Sequence, residues 1–309
     1  MKSFIAIVKI KSASVVSLLL LAHSAHAIAQ TVKAPAEVPF EFVHNQIVLQ
    51  VKISGKGPFS MLLDTDTDPS AIDMATAREL GLQVGSKGAR ASGGGTETNT
   101  VYPTRLPTVE LGSVTARDVL AATVDLTKLA NRIGKPVHGV LGYSFLKDRI
   151  VQIDYPNSKL RFYAESPYPG ILSAPNTVNT IAFPLRREEG VLIIDSVFIN
   201  GEKMRATLDT GSSGALALTP EAVATLKLED EGKMEDSVGY NGEYEHKIGV
   251  LKSVRLGRLA IDSAPATFWL PGTGHDKKRF QLNVGNGFFQ DFVMTFDFRN
   301  KIVIFEKVD

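Results

Sequence analysis

The chain has 309 residues, 44% of them apolar and 22% charged, and a formal net charge of +1. That composition excludes a disordered or fibrous chain, and the length accommodates two domains of ordinary size, each with its own core. The cysteine count is zero, which removes disulfides, thiol catalysis, Cys-based zinc sites and a lipidated cysteine anchor.

In chain order, Lys2, Lys9 and Lys11 lead into an apolar stretch around Val15 to Ala22, and Ala25-His26-Ala27 has the small-x-small form of a cleavage site. Residues 1–27 are expected to be a secretory signal peptide. The apolar run is too short to span a bilayer, and no later segment is long or apolar enough, so the processed protein is expected to be exported, periplasmic or secreted, without a membrane span. Cleavage removes three lysines and no acids, taking the net charge to −2, so no basic excess remains for nucleic acid. Residues 28–36 are expected as a flexible leader. Four histidines follow (His44, His138, His246, His275), none four residues from another.

The next residues read as strand. Gln46 to Ile53 alternates and is β-branched, Ser54-Gly55-Lys56-Gly57 turns the chain, and Phe59 to Leu63 runs back. Asp64-Thr65 follows, then a short expected helix over Asp73 to Leu80. Arg149 to Asp154 and Leu160 to Tyr163 close the first half as paired strands. Ser166 to Val178, with three prolines and a glycine, is expected to link the halves. The second half repeats the plan. Val191 to Ile199 meets the turn Asn200-Gly201, the strongest short hairpin signal, and Met204 to Leu208 leads into Asp209-Thr210. A helix is expected over Pro220 to Leu226 with Thr219 as its N-cap. Phe292 to Phe298 and Ile302 to Phe305 end the chain.

The halves are a duplication. Gly142, Phe145, Asp148, Asp154, Asn157 and Phe162 match Gly285, Phe288, Asp291, Asp297, Asn300 and Phe305, every pair 143 residues apart. Leu63-Asp64-Thr65 matches Leu208-Asp209-Thr210 at a spacing of 145. The expected fold is therefore all-β: two β-barrel-like lobes with short helices, an N-terminal lobe at 37–165, the linker at 166–178 and a C-terminal lobe at 179–309.

Asp209-Thr210-Gly211-Ser212 at the end of an apolar strand has a chemical logic. Burial of the strand leaves the carboxylate in a low-dielectric cleft. Two such carboxylates, one from each lobe, cannot both ionise easily and share a proton. One then acts as general base on a water between them, and the other protonates the scissile carbonyl oxygen. Threonine at the next position can bond across to the other lobe, and glycine lets backbone N–H groups approach the carboxylate.

These motifs resemble those of the pepsin and retropepsin superfamily of aspartic peptidases, specifically bacterial exported proteins with two retropepsin-like repeats. The resemblance rests on Leu208-Asp209-Thr210-Gly211-Ser212-Ser213, on Leu63-Asp64-Thr65, and on two later glycine elements, Val140-Leu141-Gly142 and Asn283-Val284-Gly285. It covers almost all of residues 37–309. It implies a duplicated acid-protease fold, an endopeptidase with Asp64 and Asp209 as catalytic carboxylates, and Thr65, Thr210, Gly211 and Ser212 in support. It further implies a peptide or protein substrate, no metal or cofactor, and a monomer, since one chain supplies both halves.

One residue departs from that pattern. Asp66 stands where the resemblance calls for glycine, within Asp64-Thr65-Asp66-Thr67-Asp68. Its charge is expected to push the dyad's carboxyls upward and its side chain to press on the backbone donors. This keeps open an alternative, a peptide-binding protein of the same fold that has lost catalysis. A calcium loop needs Gly and Glu at its sixth and twelfth positions, where this chain has Pro69 and Ala75. A haloacid-dehalogenase-type phosphatase needs long helices between strands. Both are rejected. Gly93-Gly94-Gly95 to Tyr102 and Gly239-Tyr240-Asn241-Gly242 to Tyr244 are candidate flaps. Asp154 and Asp297 are read as turn residues, His138 as a packing residue and Trp269 as core.

Overall fold

The computed structural model describes residues 34–91, 95–97, 99–173, 177, 179–239, 241–276 and 278–308. The expected signal peptide, most of the leader, Gly93, Gly94 and Tyr240 lie outside them.

Each half builds a ring of six strands. In the N-terminal lobe the order around the ring is Gln46–Ile53, Lys56–Leu63, Gly139–Leu141, Ser70–Asp73, Val114–Val124 and Thr100–Leu111, which pairs back onto Gln46–Ile53. The C-terminal ring runs Val191–Ile199, Glu202–Asp209, Leu282–Gly285, Leu216–Leu218, Leu259–Trp269 and Gly242–Leu256, and closes in the same way. Closure removes the open edges that would otherwise invite pairing with other chains. The hairpins turn where the sequence allows a left-handed backbone: Ser54-Gly55 and Asn200-Gly201 each have positive φ at both residues, as the tightest two-residue turn requires.

The short helices have the expected caps. Asp73 caps Met74–Leu80, its carboxylate accepting from Ala75 N at 2.9 Å, and Gly81 ends that helix at φ 68°. Thr219 caps Pro220–Thr225.

The halves also share a sheet. Ala36–Pro39, Lys159–Tyr163, Ile150–Asp154, Phe292–Asp297, Ile302–Lys307 and Thr180–Pro184 form six strands, with the lobes meeting between Ile150–Asp154 and Phe292–Asp297. Gln152 lies opposite Thr295 and donates to its hydroxyl at 3.1 Å. These two residues occupy equivalent positions in the repeat, so the pseudo-two-fold axis passes between them, as in an isologous dimer interface. Asp154 and Asp297 are buried beside this sheet, and each accepts from the backbone and side chain of the asparagine three residues on, Asn157 or Asn300.

The alternation in each strand aims Ile47, Leu49, Val51, Met61 and Leu63 into the same core as Leu192, Ile194, Val197, Ala206 and Leu208. Leu63 and Leu208 are both fully buried, which stabilises by about 2–3 kcal/mol per side chain. They lead each strand to its acid: the first strand ends at Leu63, just before Asp64, and the second at Asp209 itself. Among the described residues no helix is long and apolar enough to cross a membrane.

Candidate active site

Asp64 and Asp209 end equivalent strands and meet at the junction of the lobes. The threonines that follow them hold the junction. Thr65 donates its hydroxyl to Leu208 O at 2.6 Å, and Thr210 donates its hydroxyl to Leu63 O at 3.0 Å. Each hydroxyl also accepts the other threonine's backbone N–H, at 3.0 Å in both directions. Both side chains are buried, so the four bonds lock each Asp-Thr loop against the opposite strand.

Gly211 sits between the carboxylates. Its N–H donates to Asp209 Oδ1 at 2.8 Å. A Cβ at this position would overlap the Asp64 carboxyl group, so only glycine brings the two acids to the same residue. The later glycines serve the same close packing: a Cβ on Gly142 would strike Thr67 O, and one on Gly285 would lie 2.7 Å from Ser212 O.

The carboxylates differ in their partners. Asp64 Oδ1 accepts from Asp66 N at 2.7 Å and Thr67 N at 3.0 Å, while Oδ2 accepts from the Thr67 hydroxyl at 2.6 Å. Asp209 Oδ2 accepts from Asn283 Nδ2 at 2.8 Å. Burial raises the Asp64 carboxyl above the usual range, opposed by the Thr67 hydroxyl and the two amides. Burial, then the charge of Asp64, pushes Asp209 to about 7, against the Asn283 and Gly211 donors. With both carboxyls raised, the buried pair favours keeping a proton where isolated carboxyls would have lost it.

Asp66 does not displace the donor expected of glycine, because its N–H still reaches Asp64. Its side chain crosses toward the other lobe, where Oδ1 accepts from Thr207 Oγ1 at 3.4 Å. Burial raises its carboxyl well above the usual range, the charges of Asp209 and Asp64 raise it further, and Lys278 pulls the other way. Asp68 turns elsewhere and pairs with Arg187. The three acids of Asp64-Thr65-Asp66-Thr67-Asp68 therefore go three ways.

Ser212 packs through its backbone: its N–H donates to Asp209 O at 3.2 Å, and its carbonyl accepts from Asn286 N at 2.9 Å. Other side chains tie the lobes together around the site. Gln46 donates to Gly211 O at 2.9 Å, Asn45 to Ser213 O at 3.0 Å, and Asn286 to Asn45 O at 2.8 Å, with the Tyr155 hydroxyl on Asn286 Oδ1 at 2.6 Å. On the opposite side Arg187 stacks over Tyr143, 4.0 Å from the ring centre.

The candidate flaps touch each other. Glu97 N donates to Asn241 O at 2.7 Å, Asn241 Nδ2 donates to Ala91 O at 3.3 Å, and Gly95 N donates to Thr273 O at 3.1 Å. The loop carrying Thr273 also carries His275, stacked on Trp269 with ring centres 3.8 Å apart. Burial pushes His275 down to about 3. His138 accepts from Ser60 N at 3.0 Å and lies edge-on to Phe59, which is packing. Sequence reasoning missed Asn283, Thr207, Asn45, Gln46, Asn286 and Lys278. Asn283 and Thr207 alone left a signal, as polar residues where the first repeat has Val140 and Leu62.

With this geometry in hand, comparison with known proteins is decisive for the family. A family model described as aspartyl protease matches residues 49–145 and 196–277, more than half of the chain and once in each lobe. The chain belongs to the aspartyl protease family. No curated protein matches it significantly. Among solved structures, it is similar to a retropepsin-like aspartic protease from Rickettsia conorii, with 22% identity over 42% of this chain and 92% of that one, at a TM-score of 0.34. In this aspartyl protease family member the six-stranded ring occurs twice, and the two Asp-Thr loops bond across to each other.

Proposed function

We propose that the protein is an aspartic endopeptidase that hydrolyses peptide bonds with a water activated between Asp64 and Asp209. The observation that carries this reading is the threonine lock, which brings both carboxyl groups to Gly211. In the singly protonated pair, one carboxylate removes a proton from the water as it attacks the scissile carbonyl carbon. The other donates its proton to the carbonyl oxygen. The tetrahedral intermediate then collapses as its nitrogen takes up a proton, giving a carboxylic acid and an amine. The buried threonines and Gly211 contribute by position, holding the acids through the reaction at no cost in reorganisation. The substrate is a peptide or protein chain admitted when the flaps part. The protein acts as a monomer outside the cytoplasm, in the periplasm or secreted.

A statine-containing, pepstatin-like peptide tests the reading, since its hydroxyl takes the place of the attacking water. It is expected to bind the wild-type protein and to lose at least about 100-fold in affinity for Asp209→Asn, on the scale of transition-state mimicry. Equal binding to both proteins would refute the shared dyad.

A second reading is favoured by Asp66, whose carboxyl presses on the dyad. In it the cleft binds peptides without cutting them. Asp66→Gly separates the two: an inert wild type with a cleaving variant supports the binding protein, and cleavage by wild type excludes it.

A further inference from the structure

The two rings align residue for residue through their ladders, and the alignment exposes a local break in symmetry. In the N-terminal lobe Val48 pairs with Leu62, Leu62 with Val140 and Val140 with Ala71. All four are buried in one apolar cluster. In the C-terminal lobe Ile193 pairs with Thr207, Thr207 with Asn283 and Asn283 with Ala217. The outer residues stay apolar, and the middle pair has become a hydroxyl and an amide. Thr207 and Asn283 are as buried as the residues they replace, and polar groups at such depth are costly unless partnered.

Their partners are the carboxyl groups of the site. Thr207 donates to Asp66 Oδ1 and Asn283 to Asp209 Oδ2. Asp66 is itself the third departure from symmetry, occupying the position that Gly211 has in the other lobe. Three independent positions, on two lobes, thus change in a way that only makes sense together. A carboxyl group that arrived by decay of the site would meet the apolar wall that Leu62 and Val140 form in the first repeat. This one meets a hydroxyl. Asn283 Oδ1 is buried without a partner, so a half-turn of its amide lets it accept from Asp209 when that acid is protonated. Val140 cannot serve either state.

We propose that Asp66, with Thr207 and Asn283 as its supporting pair, is a positioning residue that keeps a proton on the Asp64–Asp209 pair toward neutral pH and so extends peptide cleavage into that range. This rests on the endopeptidase reading above. The groups facing Asp66 are Asp64, Asp209 and Lys278, with the Tyr155 phenol beside Asp209 and the Asp68–Arg187 ion pair two residues along the chain. Burial and the two dyad acids favour its protonated form and outweigh Lys278. The repulsion is reciprocal, so with Asp66 present the three acids together hold their last proton to higher pH than the Asp64–Asp209 pair alone would. Thr207 supports the effect, because stabilising the Asp66 carboxylate favours leaving the proton on the pair.

The test is the pH dependence of kcat/KM for wild type, Asp66→Gly, Thr207→Val and the double variant, with Asp66→Asn as a second, isosteric probe if glycine impairs folding. Carboxyl titration by 13C NMR on the same proteins supplies a readout that needs no turnover. Asp66→Gly and Asp66→Asn are expected to move the alkaline limb, and the matching NMR midpoint, downward by about one pH unit, the order of effect of one nearby like charge. That is about a tenfold loss above the wild-type limb. Thr207→Val is expected to move it downward while Asp66 is present and to leave the Asp66→Gly profile unmoved, the coupling that identifies a shared site. Coincident limbs and midpoints for wild type and both Asp66 variants overturn the proposal. A wild type that cleaves nothing at any pH, with NMR midpoints still shifted as expected, refutes the endopeptidase reading and retains Asp66 as the group that controls the site's proton.

Discussion

The N-terminal and C-terminal lobes have the same ring, the same strand order and the same threonine, yet one ends in Asp64-Thr65-Asp66-Thr67 and the other in Asp209-Thr210-Gly211-Ser212. Symmetry is kept wherever geometry alone is at stake. Thr65 and Thr210 make reciprocal bonds of matching length, and Gln152 meets Thr295 across the axis. Symmetry is broken where protonation is decided: Thr67 on Asp64, Asn283 on Asp209, and Asp66 beside both. A homodimer would have to place the same residues on both sides. A duplicated chain can assign its two acids different surroundings, and this one does.

The comparison is broken most severely by removing the lock. Thr210→Val leaves Leu63 O and Thr65 N without their buried partners, and Thr65→Val does the same to Leu208 O and Thr210 N. Each is expected to cost about 2–5 kcal/mol, two buried groups being orphaned. Urea midpoints check the values, and equal costs are expected from the two lobes. A cost near zero at either position would contradict the lock.

A smaller effect sharpens the asymmetry. Because burial and its acidic neighbours hold Asp66 above the usual carboxyl range, the folded protein keeps that proton at pH values where the unfolded chain has released it. The group therefore lowers stability as pH rises from the ordinary carboxyl range through its raised folded value, by about 1.4 kcal/mol per unit between the two. Asp66→Asn is expected to match wild type in Tm near pH 4 and to exceed it increasingly as pH rises through the raised folded value of Asp66. His275 works in the opposite sense. Held down to about 3 by burial, it costs stability as pH falls below the ordinary imidazole range. The difference between the two proteins, measured at each pH, isolates Asp66 from it.

Much of this was legible in the sequence, for physical reasons. The Asp-Thr loops, the later glycines and the Asn200-Gly201 turn are short-range features whose chemistry is confined to a few neighbours, and the repeat displayed them twice. The shared six-stranded sheet was not legible. Pairing of Ile150–Asp154 with Phe292–Asp297 joins segments far apart in the chain and leaves no local periodicity. The polar Gln152 and Thr295 within buried strands were its one trace. Thr207 and Asn283 were visible as polar residues in an apolar pattern, but their partners lie across the pleat or on the other lobe. The stacking of His275 on Trp269 left no mark, since it depends on how a loop folds back.

The central claim is that Asp64 and Asp209 act as one catalytic pair, and peptide cleavage by Asp209→Asn tests it most directly. With an unfolded protein as substrate and kcat/KM followed from pH 3 to 8, the account predicts a loss of at least about 1000-fold at every pH, the scale of removing a general base or acid. Retention of wild-type cleavage by the folded variant would contradict it.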